Sequence, residues 1–137
     1  MHCYFSNLNL LLLNPEEIIK IVIEEAIYIH KELGPGLLEK VYKTCLAYRL
    51  KKRGLFVEIE RPIPVVFEEV RMDCGYRSDI VLEKQVVVDT KSIEGIYLIE
   101  ICQVLTYLKF LELRYGLILN FNVVLMKHGI RRVIRGY

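Results

Sequence analysis

No two cysteines in this 137-residue sequence stand at a C-x-x-C spacing. Cys3, Cys45, Cys74 and Cys102 are scattered, and no histidine lies near a pair of them, which excludes a conventional zinc site. Isolated cysteines of this kind suit a reducing cytoplasm, where they serve as small buried hydrophobes. Long apolar runs are missing too. None approaches the roughly 20 residues that a membrane-spanning helix requires. The opening MHCYFSNLNLLLLN has a leucine cluster but no basic flank and no small-residue cleavage site, so it reads as an N-terminal extension and not as a signal peptide. A net charge of only +2 gives no case for a polyanionic partner from the total alone. Internal repeats, low-complexity stretches and linkers are absent as well.

What is present argues for a folded chain: 53% of the residues are hydrophobic and 26% charged. The length suits one domain with its own core, here expected over residues 15–137 after an extension at 1–14. Charge is unevenly placed. No acidic residue follows Glu112, whereas Arg114, Lys127, Arg131, Arg132 and Arg135 do. Such a basic end can meet phosphates or can be an ordinary solvated strand.

Periodicity orders the chain. Asn14-Pro15-Glu16-Glu17 is a helix start: a capping side chain, proline in the first turn, then two acids at the positive end of the dipole. Apolar residues recur at helical spacing from Ile18 to Ile29, and Gly34-Pro35-Gly36 stops the helix. His30, in its last turn, complements the dipole. A second helix is expected from Leu37 to Arg53. Residues 55–61 and 63–70 read as strands punctuated by Pro62 and Pro64, which places one of them at a sheet edge. Residues 72–83 and 86–92 read as a hairpin, Ile96 to Leu113 as a helix, Tyr115 to Asn122 as a buried strand, and Ile130 to Ile134 as a last short strand. The sum is a mixed sheet with helices packed on it.

The stretch RSDIVLEKQVVVDTK, residues 77–91, sets Asp79, Asp89 and Lys91 among valines and isoleucines. Charges in such a setting need a partner or a metal. Alternation puts Asp79 with Val81 on one face, and Asp89 and Lys91 with Val87 on one face. A three-residue loop at 83–85 would set Asp79 opposite Asp89. A two-residue turn at 84–85 would send them to opposite faces, so register decides the chemistry. Facing carboxylates at about 5 Å repel unless something intervenes. A divalent cation resolves the conflict, since Mg²⁺ is commonly held by one or two carboxylates and water beside phosphates. Lys91 can then offset charge on a phosphate or orient a water. An aspartate–lysine network without metal is the structural alternative.

The D-x(9)-D-x-K pattern across a hairpin resembles the PD-(D/E)xK, or restriction-endonuclease-like, nuclease superfamily. Within ELGPGLLEKVY, Gly36-x-x-Glu39-x-x-Tyr42 looks like the motif of the bacterial and archaeal GxxExxY proteins, and DCGYRSDIVLE, QVLTYLK and GLILNFNV extend the likeness over about residues 15–135. The resemblance implies an α+β fold with a restriction-endonuclease-like core, a central mixed β-sheet flanked by helices. It implies a nuclease cutting nucleic-acid phosphodiesters with Mg²⁺ or Mn²⁺, in which Asp79, Asp89 and Glu39 hold the metal and Lys91 assists. Gln103 and Tyr107 match a Q-x-x-x-Y pair that faces the site in similar proteins. A catalytically inactive nucleic-acid-binding or protein-interaction module keeping the fold is the alternative. Small nucleases that cut both strands are commonly symmetric, so a homodimer is compatible with this reading. Three positions depart from the pattern. Ser78 replaces the proline of the superfamily name, Asp89 replaces a glutamate and is one methylene shorter, and Glu100 stands where many relatives carry histidine.

Overall fold

The computed structural model describes residues 13–136, so the expected extension at 1–14 lies outside the described residues except for Leu13 and Asn14. Helix α1 (Pro15–Leu33) starts where its cap predicts, with the Glu17 N–H donating to Asn14 Oδ1 at 2.9 Å. It buries Ile18, Ile19, Val22, Ala26 and Ile29 and ends at Gly34, whose φ of 77° few other residues adopt without strain. Helix α2 (Glu39–Lys52) buries Tyr42, Leu46, Ala47 and Leu50 along one side. The two helices are also joined by charge: buried Glu25 accepts from Arg49 Nε at 2.7 Å and Arg53 Nη1 at 2.8 Å.

Strands β1 (Val57–Pro62), β4 (Arg77–Leu82), β5 (Val86–Lys91), β6 (Tyr115–Asn120) and β7 (Ile130–Ile134) form one sheet in the order β1-β4-β5-β6-β7. Every neighbouring pair is antiparallel except β5 and β6. Parallel neighbours cannot be joined by a tight turn. The crossover is helix α3 (Leu98–Leu111). Alternation along the strands sorts two cores. Ile80, Leu82, Val86, Val88, Leu117 and Leu119 pack with α1 and α2, whereas Val81, Val87, Ile118 and Val133 pack under Val104 and Leu108 of α3. Gly116 permits the close approach of α3, since a Cβ there would stand 2.8 Å from Val104 Cγ1. The fold is therefore α+β, a mixed five-stranded sheet flanked by helices, with proline-bounded β1 at the predicted edge. No helix among the described residues is long and apolar enough to cross a membrane.

Two expectations are corrected. Residues 63–70 are not one strand, and the hairpin does not begin at residue 72. Instead β2 (Val65–Phe67) and β3 (Val70–Met72) form a small separate sheet. Glu68, at φ 53°, turns the chain between them, and the Asp73 side chain accepts the Gly75 N–H at 3.1 Å before β4 begins. His30 does more than complement a dipole. It is buried, and its Nε2 lies 2.7 Å from the Val123 carbonyl, which fastens the end of α1 to the segment after β6.

Candidate active site

The β4–β5 pairing joins Leu82 to Val86, Val81 to Val87 and Ile80 to Val88, the register of the three-residue loop. Glu83 and Lys84 occupy that loop at φ 52° and 53°, and the Gln85 N–H donates to Leu82 O at 2.8 Å. The ladder stops at Ile80–Val88, because β4 continues along β1 while β5 continues along β6. In the fork between them, Asp79 Oδ2 accepts the Thr90 N–H at 2.9 Å and the Thr90 hydroxyl at 3.2 Å. Asp79 and Asp89 thus meet at the open end of the hairpin. Asp89 is only 7% exposed, and its Oδ2 makes no hydrogen bond among the described residues. Burial, then the neighbouring Asp79 carboxyl, push the Asp89 pKa up to about 7 against the pull of Lys91.

Lys91 links the strand to α3. Its Nζ stands 3.4 Å from Asp89 Oδ2 and donates to Gln103 Oε1 at 3.5 Å. Gln103 Nε2 in turn donates to the Tyr107 hydroxyl at 3.3 Å, as i and i+4 neighbours on α3 can. Burial opposes the charge of Lys91, but the Asp89 carboxylate beside it holds the ammonium above the ordinary lysine range. Burial, with Asp89 close by, raises the Tyr107 phenol.

Glu39 approaches from the other helix layer, and the glycine motif explains how. The Tyr42 hydroxyl donates to Gly34 O at 2.6 Å and accepts the Leu37 N–H at 3.0 Å, so the loop through Gly36 (φ 94°) is folded over the tyrosine. The Ser92 hydroxyl donates to Leu37 O at 2.8 Å and ties that loop to the end of β5. Glu39 opens α2 half-buried there, and burial and the Asp79 charge raise its pKa.

Lys43 belongs to this cluster and was missed from sequence. Its Nζ lies 3.2 Å from Glu60 Oε1 and 3.7 Å from Asp79 Oδ1. The signal was available: Lys43 follows Glu39 by four residues and so shares its helix face. Glu60 interrupts β1 at φ 53°, a strained conformation for glutamate. Asn120 was missed as well. Its side chain accepts the Ile93 N–H at 3.1 Å and donates to Ile93 O at 3.0 Å, which fixes the segment leaving Lys91. Glu100, the departure on α3, accepts the Tyr97 N–H at 2.9 Å and so caps its own helix. At the basic end, Arg132 pairs with Glu16 and Arg135 donates to Leu113 O.

The donor set suits a hard cation. Two adjoining carboxylates, one with a buried oxygen lacking a hydrogen bond, offer the oxygen-only ligation that Mg²⁺ takes together with water. Among the described residues no three His, Cys, Asp or Glu side chains, Glu39 with the two aspartates included, gather closely enough to hold a metal ion, so a cation at Asp79 and Asp89 would take most of its ligands from water.

Comparison with known proteins gives one match. No curated protein and no solved structure is similar enough to the chain to register. A family model described as the PD-(D/E)XK nuclease superfamily matches residues 16–133, and the chain belongs to that superfamily.

Proposed function

We propose that the protein is a nuclease of the GxxExxY branch that hydrolyses nucleic-acid phosphodiester bonds with Mg²⁺ or Mn²⁺. One observation carries this reading: buried Asp89 beside Asp79 at the fork of the hairpin, its Oδ2 without a hydrogen bond and Lys91 Nζ 3.4 Å away. Asp79 and Asp89 would hold the cation, with Glu39 supporting its water shell. When bound, the cation supplies positive charge against the phosphoryl oxygens and acidifies water. Lys91, anchored by Asp89 and Gln103, presents its ammonium to the non-bridging oxygens, where charge grows as the attacking water closes on phosphorus. The water oxygen bonds to phosphorus in line with the sugar oxygen while the water gives a proton to solvent; the bond between phosphorus and the sugar oxygen breaks, and that oxygen takes up a proton from solvent. Tyr107 keeps Gln103, and through it Lys91, in place. Glu39 sits where a loop bound by Tyr42 and Ser92 fixes the start of its helix.

A catalytically silent nucleic-acid-binding module is the second reading. It is favoured by Lys43 and Lys91, which stand 3.7 and 3.4 Å from the two aspartates and can neutralise them without metal. Incubation with single-stranded, duplex and branched DNA and RNA in Mg²⁺ or Mn²⁺ separates the two. Metal-dependent cutting that is lost in Asp79→Asn and Lys91→Ala is expected. No cutting of any substrate, together with no Mn²⁺ binding by the wild-type chain, would establish the silent module.

A further inference from the structure

Beside Lys91 a cleft of about 720 Å³ opens between α3 and the chain that leads into and out of the β2–β3 hairpin. A volume of this order takes a small organic molecule. Its walls are unlike each other. Tyr76, Tyr107 and Phe110 give it aromatic surface, while Ile63 and Val65 face it with aliphatic side chains. The Tyr76 and Tyr107 rings stand 6.4 Å apart at 51°, and Tyr76 remains 49% exposed. Lys91 and Gln103 line it as well, the latter with one amide hydrogen on Tyr107 and the other without a partner among the described residues. Glu100 also lines the cleft, but its carboxylate is engaged by the Tyr97 N–H.

We infer that this cleft receives unpaired nucleobases of the strand whose phosphate lies at Lys91, so that the substrate is single-stranded nucleic acid or a single-stranded segment of a larger one. The inference rests on the proposed function only in taking Lys91 to face a phosphate. Because Lys91 belongs both to the acidic fork and to the cleft lining, a backbone held there brings its adjacent base to the cleft. Aromatic rings accept any base face, and an apolar wall with one free amide suits a flat heterocycle with polar edges. A paired base cannot enter. Inside a duplex its faces are covered by its neighbours, and reaching a pocket requires unstacking and unpairing. Among the lining residues only Lys91 is cationic. The cleft therefore matches an uncharged base ring next to a phosphate, and not a polyanionic backbone running along it.

The test is binding of fluorescein-labelled oligothymidylate and oligouridylate to the full chain in EDTA, read by anisotropy, where no cutting can intervene. Competitors are a duplex of the same length and a strand bearing consecutive abasic sites. Single strands are expected to bind at least tenfold more tightly than duplex. Tyr76→Ala, at a half-exposed side chain, is expected to leave circular dichroism unchanged and to weaken single-strand binding by about 5- to 150-fold, the span of one base stack. The abasic strand should bind weakly to wild type and no more weakly to Tyr76→Ala. Alkylation of Cys74, which also lines the cleft, should slow when oligothymidylate is bound and not when duplex is added.

Equal affinity for duplex and single strand, or an unchanged affinity in Tyr76→Ala, overturns the inference. So does a Tyr76→Ala variant that shifts a monomer–dimer equilibrium in sedimentation while oligonucleotide affinity stays put, which would give the cleft to a second copy of the chain. The two readings fail separately. Base-dependent binding without cutting sinks the nuclease and keeps the cleft. Metal-dependent cutting with Tyr76-independent binding does the reverse.

Discussion

The ring of Tyr42 lies almost parallel to that of Phe121, with centroids 4.5 Å apart and planes 4° from coincidence. This stack sits at the junction of α2 with the end of β6, and the hydroxyl above it holds both sides of the loop that delivers Glu39. The third position of the glycine–glutamate–tyrosine motif therefore acts on the second through backbone hydrogen bonds. Tyr42→Phe should keep the stack and lose those bonds, at a cost of about 1–2 kcal/mol in urea unfolding. Tyr42→Ala should cost about 3–5 kcal/mol, because it also empties a fully buried site. A Tyr42→Phe variant as stable as wild type would remove the hydroxyl from this account.

Glu25 gives the fold an acid limit. Burial by itself raises its pKa, but the hydrogen bonds from Arg49 and Arg53 outweigh that and hold it below its ordinary value of 4.5. A carboxylate whose pKa is depressed by folding contributes stability that is complete above the unfolded value and disappears as pH falls through the folded one. Melting temperature should therefore be flat from neutral pH down to about pH 5 at this site, then fall as acid is added further. Glu25→Gln should lower the neutral plateau and flatten the acid limb. An acid limb of unchanged steepness in that variant would place the transition elsewhere.

Two glycines separate a yielding neighbour from a rigid one. A Cβ at Gly116 would meet the side chains of Val104 and Leu108 at 2.8 and 3.3 Å, whereas one at Gly129 would fall 1.9 Å from the Asn120 carbonyl oxygen. Gly116→Ala should cost about 1–3 kcal/mol by lifting α3 from the sheet. Val104→Ala in the same chain should recover part of that loss, which a double-mutant cycle measures. Gly129→Ala should be the more severe change, because backbone must move and Asn120 fixes the segment after Lys91.

Lys43 stands 3.7 Å from Asp79, where it would compete with a cation. On the proposed function, Lys43→Ala should tighten Mn²⁺ binding about two- to fivefold in calorimetry, the scale of a partly exposed ion pair. Asp89→Asn should abolish that binding. Weaker Mn²⁺ binding in Lys43→Ala would mean that the lysine organises Asp79 and does not oppose metal there.

Local signals reached as far as local physics does. Asn14, Pro15 and the Gly34-Pro35-Gly36 breaker fix α1 because capping and backbone freedom are properties of a few adjacent residues. Alternation grouped Val81 with Asp79 and Val87 with Asp89, but only folding selected the register and the helix that covers each face, since both loop lengths satisfy the same apolar pattern. The strand expected at 63–70 failed because Glu68 takes a left-handed conformation that its side chain does not advertise. Asp79, Asp89 and Lys91 stood out as charges in an apolar run. Ser92, Asn120 and His30 did not, because each is defined by a partner far along the chain: Leu37, Ile93 and Val123. An ordinary polar residue becomes a fastening only when the chain brings its partner.

The single parallel pair, β5 with β6, has a consequence for the newly made chain. Its crossover obliges α3 to lie over the sheet, so Gln103 can reach Lys91 only after the strand beyond the helix has docked. During synthesis Glu39 emerges first, Asp79 and Asp89 later, and the sheet position that seats α3 last of all. No early fragment holds the assembled acids, lysine and cleft together, and non-local pairing of this kind forms slowly. On the proposed function, a centre wired in this way would stay silent on the ribosome until the whole domain has closed.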